Sequence, residues 1–344
     1  TTGTVRLAGD TAGVVLQVVP TLDDLDVFPG RSLATSTGTA FGSGFAEGLT
    51  RLDFGGTGVV DSGRFTGSDV FSFFPGGQAA NDRLQFSFVD GAPTGPVRVI
   101  TPGGTSAPLA VAMTGIAATA QTGTPADALV ASANPGQVIT LTGVGFDSRT
   151  EIVFETATSS GIRSTVTARP NFVNATGTAL EVVVPESAVS GLVRVLGDRN
   201  DLGARLQVVP VVDGVDILFD AGGGQYRLRV TGAGFVEGGG SEYRFGSETV
   251  LDAGAFTGPD VGDATRINGS VDLNMALAPR VAGPVFVRTD GGTSAAFTTA
   301  LTEIRSVAFT GTPADPALAS ANPGQAVTLI GTGLTRETDV VLTY

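Results

Sequence analysis

The stretch Ile139-Thr140-Leu141-Thr142-Gly143-Val144-Gly145-Phe146, followed by Glu151-Ile152-Val153-Phe154, decides the fold. Ile139 and Leu141, then Ile152 and Phe154, alternate with other residues at period two, which puts one face of a strand inward. Gly143 and Gly145 stand where the first strand ends, and glycine tolerates the positive φ that a strand needs to bend away. Phe146 follows, placed to fold its ring back as a plug in the core. Replacing Gly145 by Val is expected to cost about a kilocalorie or more if that residue has positive φ.

Working outward, the same alternation marks strands at 115–121, 138–144, 151–157, 164–170, 179–185, 191–197 and 204–209. No segment keeps a 3.6-residue period. Seven short strands in about 95 residues, with turn signals every 8–12, predict an immunoglobulin-like β-sandwich.

The pattern recurs along the chain. Thr122-Gly123-Thr124-Pro125-Ala126-Asp127 returns at Thr310 to Asp315, and Asn134-Pro135-Gly136-Gln137 returns at Asn322 to Gln325, both displaced by 188 residues. Gly103-Gly104-Thr105-Ser106-Ala107 returns at Gly291 to Ala295, and Leu16-Gln17-Val18-Val19-Pro20 at Leu206 to Pro210. Inside that period lies a weaker repeat. Its Gly-x-Gly-Phe turn stands at Gly42/Gly44/Phe45, Gly143/Gly145/Phe146 and Gly232/Gly234/Phe235, with Leu334 closing a fourth copy. Closing pairs Val5/Leu7, Val97/Val99, Val193/Val195 and Val285/Val287 are 92, 96 and 92 residues apart. The chain therefore reads as all-β, with tandem immunoglobulin-like sandwiches of two alternating types and a 188-residue period. The expected division is closing strands of one domain at 1–17, type A at 18–112, type B at 113–207, type A at 208–302, and an opening half of type B at 303–344. The two terminal pieces read as a window on a longer array rather than as strand-donating halves.

Asn134-Pro135-Gly136, the Ile139–Phe146 run, Glu151-Ile152-Val153-Phe154, Val184-Pro185 and Ser190-Gly191-Leu192-Val193-Arg194-Val195 together resemble the IPT/TIG domain. The resemblance is good over 134–197 and 322–344, and weaker over 225–290 and 30–100. It implies an immunoglobulin-like fold, often in tandem on bacterial surface proteins, adhesins and receptors or beside polysaccharide-acting enzymes. It implies no catalytic residue.

Composition narrows the chemistry. The 344 residues include no Cys, His, Trp or Lys, and all 20 basic residues are Arg. Thiolate–imidazole pairs, His-dependent serine triads, the usual zinc sites, Schiff bases and the P-loop lysine are thereby excluded. Without disulfides the domains rest on apolar packing, for which 42% hydrophobic residues suffice. A net charge of −13 disfavours nucleic acid, which needs clustered cations. No apolar run approaches the length of a membrane span, and Thr1-Thr2-Gly3-Thr4 lacks the features of a signal peptide.

The remaining candidates are carboxylates and loops. Asp23/Asp26 and Asp213/Asp216 share an Asp-x-x-Asp spacing near domain junctions, with Asp24, Asp127 and Asp315 nearby. Junction calcium would use such carboxylates with backbone carbonyls, but solvated charges and turn caps explain them too. Asp198-Arg199-Asn200-Asp201 has the look of a calcium loop, yet its counterpart Asp10-Thr11-Ala12-Gly13 lacks the ligands, which favours a polar hairpin. Glu47 and Glu237 recur after the Gly-Phe turn without an aromatic sugar platform. Gly42-Ser43-Gly44 and Gly232-Ala233-Gly234 lack the following helix of a dinucleotide loop. Asn174-Ala175-Thr176 and Asn268-Gly269-Ser270 are formal glycosylation sequons, each without a counterpart in the other copy. No catalytic, cofactor or metal residue is assigned.

The expectation is a non-enzymatic structural segment of a long extracellular or cell-surface protein, a stalk, fibre or surface-layer component that contacts its neighbours or copies of itself. Two alternatives stand beside it. One is an adhesin module gripping glycan or protein, for which Phe65, Phe71, Phe73 and Phe74 are the candidate loop. The other is an accessory region of a polysaccharide-acting enzyme.

Overall fold

A computed structural model describes residues 3–9, 11–29, 35–61, 63, 67–71, 81–89, 95–198, 203–222, 225–254, 258–264, 266–276, 284–334 and 340. Among them every regular element is a β-strand. The chain falls into two compact units, one taking in most of residues 1–209 and the other most of 210–344.

The first unit holds two sandwiches. In the first, strands Thr21–Pro29, Thr35–Ser43, Arg83–Val89 and Asp69–Phe71 lie side by side in that order. The facing sheet runs Gly104–Thr105, Val97–Thr101, Arg51–Phe54 and Thr57–Val60. In the second sandwich one sheet runs Ala112–Ala117, Val138–Val144, Ala179–Val183 and Phe172–Val173. The other runs Ser132–Ala133, Ala204–Val208, Gly191–Val195, Ile152–Ala157 and Arg163–Ala168, the first pair of strands parallel and the rest antiparallel. This is the immunoglobulin-like pairing, with hairpin neighbours in one sheet and the crossing strands in the other.

All seven strands expected in the second sandwich are present, Val138–Val144 with the expected ends and the other six with shifted ends, and two two-residue strands, Ser132–Ala133 and Phe172–Val173, join them. The first expected strand, 115–121, is instead Ala112–Ala117. Beyond it the Gln121 amide donates to the Gln137 side chain rather than to a ladder, and the chain crosses to the other sheet at Ser132. Arg163–Ala168 stops before Pro170, and Ala179–Val183 before Pro185, where the ring removes a donor.

The second unit holds a third sandwich. Its sheets run Val211–Gly222, Gln225–Ala233, Ser270–Ala276, Asp260–Gly262 and, facing them, Gly292–Thr293, Val285–Thr289, Ser241–Phe245, Glu248–Asp252. Its core gathers Leu228, Val230, Phe235, Tyr243, Phe245, Val271 and Val287. The equivalents Leu52, Phe54, Val97 and Val99 fill the first sandwich, and Ile152, Phe154, Val193 and Val195 the second. Both terminal pieces form exposed hairpins, Gly3–Val5 with Val14–Leu16 and Ala300–Arg305 with Thr328–Thr332. Their apolar residues, among them Val5, Leu7, Leu301 and Ile304, are exposed.

The two glycines of the repeated turn have different jobs. The second, at Gly44, Gly145, Gly234 and Gly333, has φ between 66° and 75°, as expected of a left-handed position. The first is there for space. A Cβ on Gly42, Gly143, Gly232 or Gly331 would stand 2.1, 2.2, 1.9 or 1.9 Å from a carbonyl oxygen of the neighbouring strand. In the three complete sandwiches the ring of the following Phe also presses on that glycine, and Phe45, Phe146 and Phe235 are buried as plugs. Opposite each turn the neighbouring strand carries a register shift, at Leu22/Asp24, Met113/Gly115, Val212/Gly214 and Leu301/Glu303.

Candidate functional site at the junction of the first two sandwiches

The acidic positions singled out in the sequence are reached from that bulge. Asp23 and Asp213 are the extra residues in the shifted register, so they point to solvent between paired neighbours. The Asp-x-x-Asp spacing is therefore set by strand geometry. Asp213 pairs with Arg266 at 2.8 Å within its own sandwich.

Asp24 and Asp26 face the second sandwich, and what meets them is arginine. Arg149, in the loop that follows the Gly-x-Gly-Phe turn, reaches back to Asp24 and lies over the Phe41 ring, 5.5 Å from its centroid. Arg169, just past strand Arg163–Ala168, contacts Asp26 and donates to the Val27 carbonyl at 3.1 Å. Its Nε also donates to Glu151 Oε1 at 2.6 Å. Glu151 is buried, and desolvation pushes its carboxyl above the ordinary range despite the opposing hydrogen bond and charge of Arg169. The same hydrogen bond holds the Arg169 guanidinium further up. Guanidinium thus holds oxygens that junction calcium, one of the readings weighed for these carboxylates, would need, and the two roles compete for them. Among the described residues no group of three or more carboxylates is arranged to hold a metal ion.

Below the ion pairs the two sandwiches share apolar packing. Val153 and Leu196 of the second belong to the core cluster of the first, together with Leu25, Val97 and Val99. Val153 faces away from its own core, since Ile152 and Phe154 point inward, so its burial belongs to the junction. Leu109 leaves the first sandwich with its amide on the Val97 carbonyl at 3.1 Å. A cleft of about 120 Å³ remains, lined by Asp24, Leu25, Ala110, Glu151 and Leu196 among others. Buried Asp198 turns back to accept from the Met113 amide at 3.2 Å, which anchors the entering strand. Residues 199–202, read in the sequence as a polar hairpin in preference to a calcium loop, lie outside the described residues.

The other candidates serve the fold. Asp127 and Asp315 accept from the amides of Leu129 and Ala317, two residues on, at 2.9 and 2.8 Å, as turn caps do. Gln137 accepts from the Gln121 and Asn134 amides and donates to the Thr119 carbonyl, and Gln325 repeats this at Phe309, Asn322 and Val307. Glu47 is exposed, whereas Glu237 is buried and accepts from the Val261 amide at 2.7 Å. Asn174 spends its side chain on the Thr178 and Ala179 amides, and Asn268 is buried with φ of 50°. Phe65, Phe73, Phe74 and the side chain of Phe71 lie outside the described residues. Among the described residues no helix is long and apolar enough to cross a membrane.

No protein-family model matches the chain, and no curated protein matches it. Solved structures with partial likeness include one with xylogluco-oligosaccharide, at 14% identity and TM-score 0.21, covering 80% of this chain and 58% of that one. A second is a tetra-tandem repeat in the extending region of a large adhesion protein, at 17% identity and TM-score 0.22, covering 84% and 76%. A third comprises the chicken CNTN1 FN1–FN3 domains, at 13% identity and TM-score 0.14, covering 81% and 96%. The chain thus spans less than two thirds of the first of these. Superpositions this loose carry no weight for function.

Proposed function

We propose that this chain is a non-enzymatic spacer of a long extracellular repeat protein, a stalk, fibre or surface-layer segment built from domains at 18–112, 113–207 and 208–302. The observation that supports it is the shared junction. Val153 and Leu196 pack into the core of the preceding sandwich, and Arg149 and Arg169 close over it onto Asp24 and Asp26. A binding module strung on a flexible linker has no use for a common core, whereas a spacer needs its joints to resist bending. Fully burying such side chains is worth roughly 1.5–3 kcal/mol each, enough to keep a joint closed most of the time. In the same reading the 113–207 domain is an IPT/TIG domain, on the strength of its Asn-Pro-Gly turn and its Gly-x-Gly-Phe plug.

Residual dipolar couplings on the full chain test this. The sandwiches at 18–112 and 113–207 are expected to share one alignment tensor of nearly equal magnitude. Two tensors of unequal magnitude would mean independent tumbling and would remove the basis for a spacer. Turnover of a polysaccharide by the purified chain would overturn the non-enzymatic reading.

A further inference from the structure

Strand Thr21–Pro29 lies at the end of its sheet in the first sandwich, next to Thr35–Ser43. The outer side of such a strand is a template for any other strand laid against it. Past the register shift at Leu22/Asp24 the pairing runs unbroken from Asp24 to Pro29, a straight stretch of six residues. Backbone groups alternate along it. The Asp26 carbonyl points inward to the paired strand, where a Cβ on Gly38 would stand 2.6 Å from it. Leu25 and Val27 therefore turn their amides and carbonyls to the outer side.

On that side one donor and one acceptor are capped by side chains. The Leu25 amide donates to Asp24 Oδ1 at 2.8 Å, and the Val27 carbonyl accepts from Arg169 at 3.1 Å. The same two side chains make the ion pairs of the junction, Asp24 with Arg149 and Arg169 with Asp26. The capped groups are self-complementary. When a second copy of the strand is laid antiparallel and centred on Asp26, Leu25 of each copy stands opposite Val27 of the other, and each Leu25 amide meets a Val27 carbonyl. We propose that Thr21–Pro29 is a docking edge for the same strand of a second copy of this chain, and that Arg169 guards it for as long as the junction is closed. Leu25 and Val27 keep their side chains buried in their own sandwich, so the docking is made by backbone. Asp26 is a second guard, because the pairing brings the two Asp26 carboxylates face to face at its centre. The guard presupposes the closed junction on which the spacer reading rests.

The third sandwich supplies an internal comparison. Strand Val211–Gly222 holds the same place at the end of its sheet. Its pairing shifts register three times, at Val212/Gly214, Ile217/Phe219 and Asp220/Gly222. Aligned on Pro20 and Pro210, Gly214 takes the place of Asp24, and the second shift falls at Ile217, the counterpart of Val27. Bulges bend an edge away from a flat partner, so this copy is blunted by its own backbone. The straight edge is the one that carries the caps.

The chain has no cysteine, so one introduced at the centre of the pairing reports on it. Residue 26 would face its copy across a non-hydrogen-bonded pair about 4.5 Å apart at Cα, within reach of a disulfide. Asp26→Cys also removes the opposing carboxylate. In a glutathione buffer the full chain with Asp26→Cys and Arg169→Met is expected to cross-link roughly thirtyfold faster than with Asp26→Cys alone, the factor by which loss of Arg169 favours the open junction. Asp24→Cys with Arg169→Met, two residues off the centre, should stay uncross-linked. Amide protection in both cores shows that each variant is folded, and Arg169→Gln repeats the comparison should Arg169→Met unfold. Equal rates with and without Arg169, or cross-linking at position 24 as fast as at 26, would overturn the proposal. Two alignment tensors in the parent chain would remove the closed junction itself, whereas one tensor with no gain from Arg169→Met would sink the guard alone.

Discussion

Replacing Arg169 by Met separates a junction held by charge from one merely decorated with it. Arg169 is the hub of the contact, joined to Glu151, Asp26 and the Val27 carbonyl. Met keeps part of the apolar stem and removes the guanidinium. Glu151, 3% exposed, is then left buried without that partner. Removing one member of a buried pair costs about 3–5 kcal/mol, because the other charge is stranded. The Arg169 side chain is 40% exposed, so water relieves part of the cost and the expected loss is about 2 kcal/mol. With about 1.4 kcal/mol per factor of ten, that is roughly thirtyfold in hydrogen-exchange protection. The amide to follow is Leu196, which donates to the Glu151 carbonyl at 2.9 Å across the strands next to the junction. Glu151→Gln should cost less than about 1 kcal/mol, since it leaves the positive partner in contact with water and Asp26. The pH dependence gives a second handle. Glu151 already sits above the ordinary carboxylate range, and loss of the guanidinium raises it further. The folded variant then takes up the proton first, so it regains stability as pH falls through that value. The gap to the parent should be widest at neutral pH and narrow on acidification. Equal losses in the two variants, or a gap that widens in acid, would refute the reasoning.

Leu196→Ala should cost about 3 kcal/mol, read as lost protection in the first sandwich as well as the second. Asp24→Asn, which touches an exposed pair, should cost less than about 1 kcal/mol and nothing measurable in 1 M salt. Gly143→Ala should destabilise by roughly 2–3 kcal/mol in urea denaturation, because its Cβ would sit 2.2 Å from the Ala112 carbonyl oxygen. Gly136→Ala, where φ is 78° but the space around the residue is open, should cost only about 1 kcal/mol. Burial pushes Asp272 up, but hydrogen bonds from Arg229 at 2.6 Å and Arg227 at 2.9 Å outweigh it and hold its carboxyl below the ordinary range. Its contribution is present above the unfolded carboxylate value and lost as pH falls through the folded one. Asp272→Asn should therefore cost about 1 kcal/mol at neutral pH and nothing in strong acid, as measured by thermal unfolding.

The strand pattern was legible because each buried pair repeats the same local rule. Leu52/Phe54, Ile152/Phe154 and Tyr243/Phe245 alternate in sequence, and all are buried. The Gly-x-Gly-Phe turn was half legible. Positive φ at Gly145 follows from residue type, whereas the need for space at Gly143 depends on a neighbouring strand some thirty residues away. The bulge was hidden for the same reason: nothing local in Leu22-Asp23-Asp24-Leu25 tells which aspartate is the extra residue. Carboxylate spacing alone could not tell a metal from an arginine, because the arginines that meet Asp24 and Asp26 come from 125 and 143 residues further on. Val153 gave a faint signal, an apolar residue on the outward side of a strand that otherwise alternates.

The sequence of the later copy then ranks the forces at the joint. Aligned on Pro20 and Pro210, the place of Asp24 is taken by Gly214, and aligned on the Gly-x-Gly turn, the place of Arg149 is taken by Glu337. Both halves of that ion pair are absent together. A lone Asp24 or a lone Arg149 facing the other sandwich would be a charge without its partner, so joint loss is the change that costs least. Val153, by contrast, is matched by Val341, and Asp26 by Asp216. An exposed pair contributes about 0–1 kcal/mol, and a buried Val or Leu roughly 1.5–3. The apolar contact is thus the part of the joint that a repeat must keep. Salt bridges on its rim can change from one repeat to the next, setting the angle and salt sensitivity of each joint without deciding whether it forms.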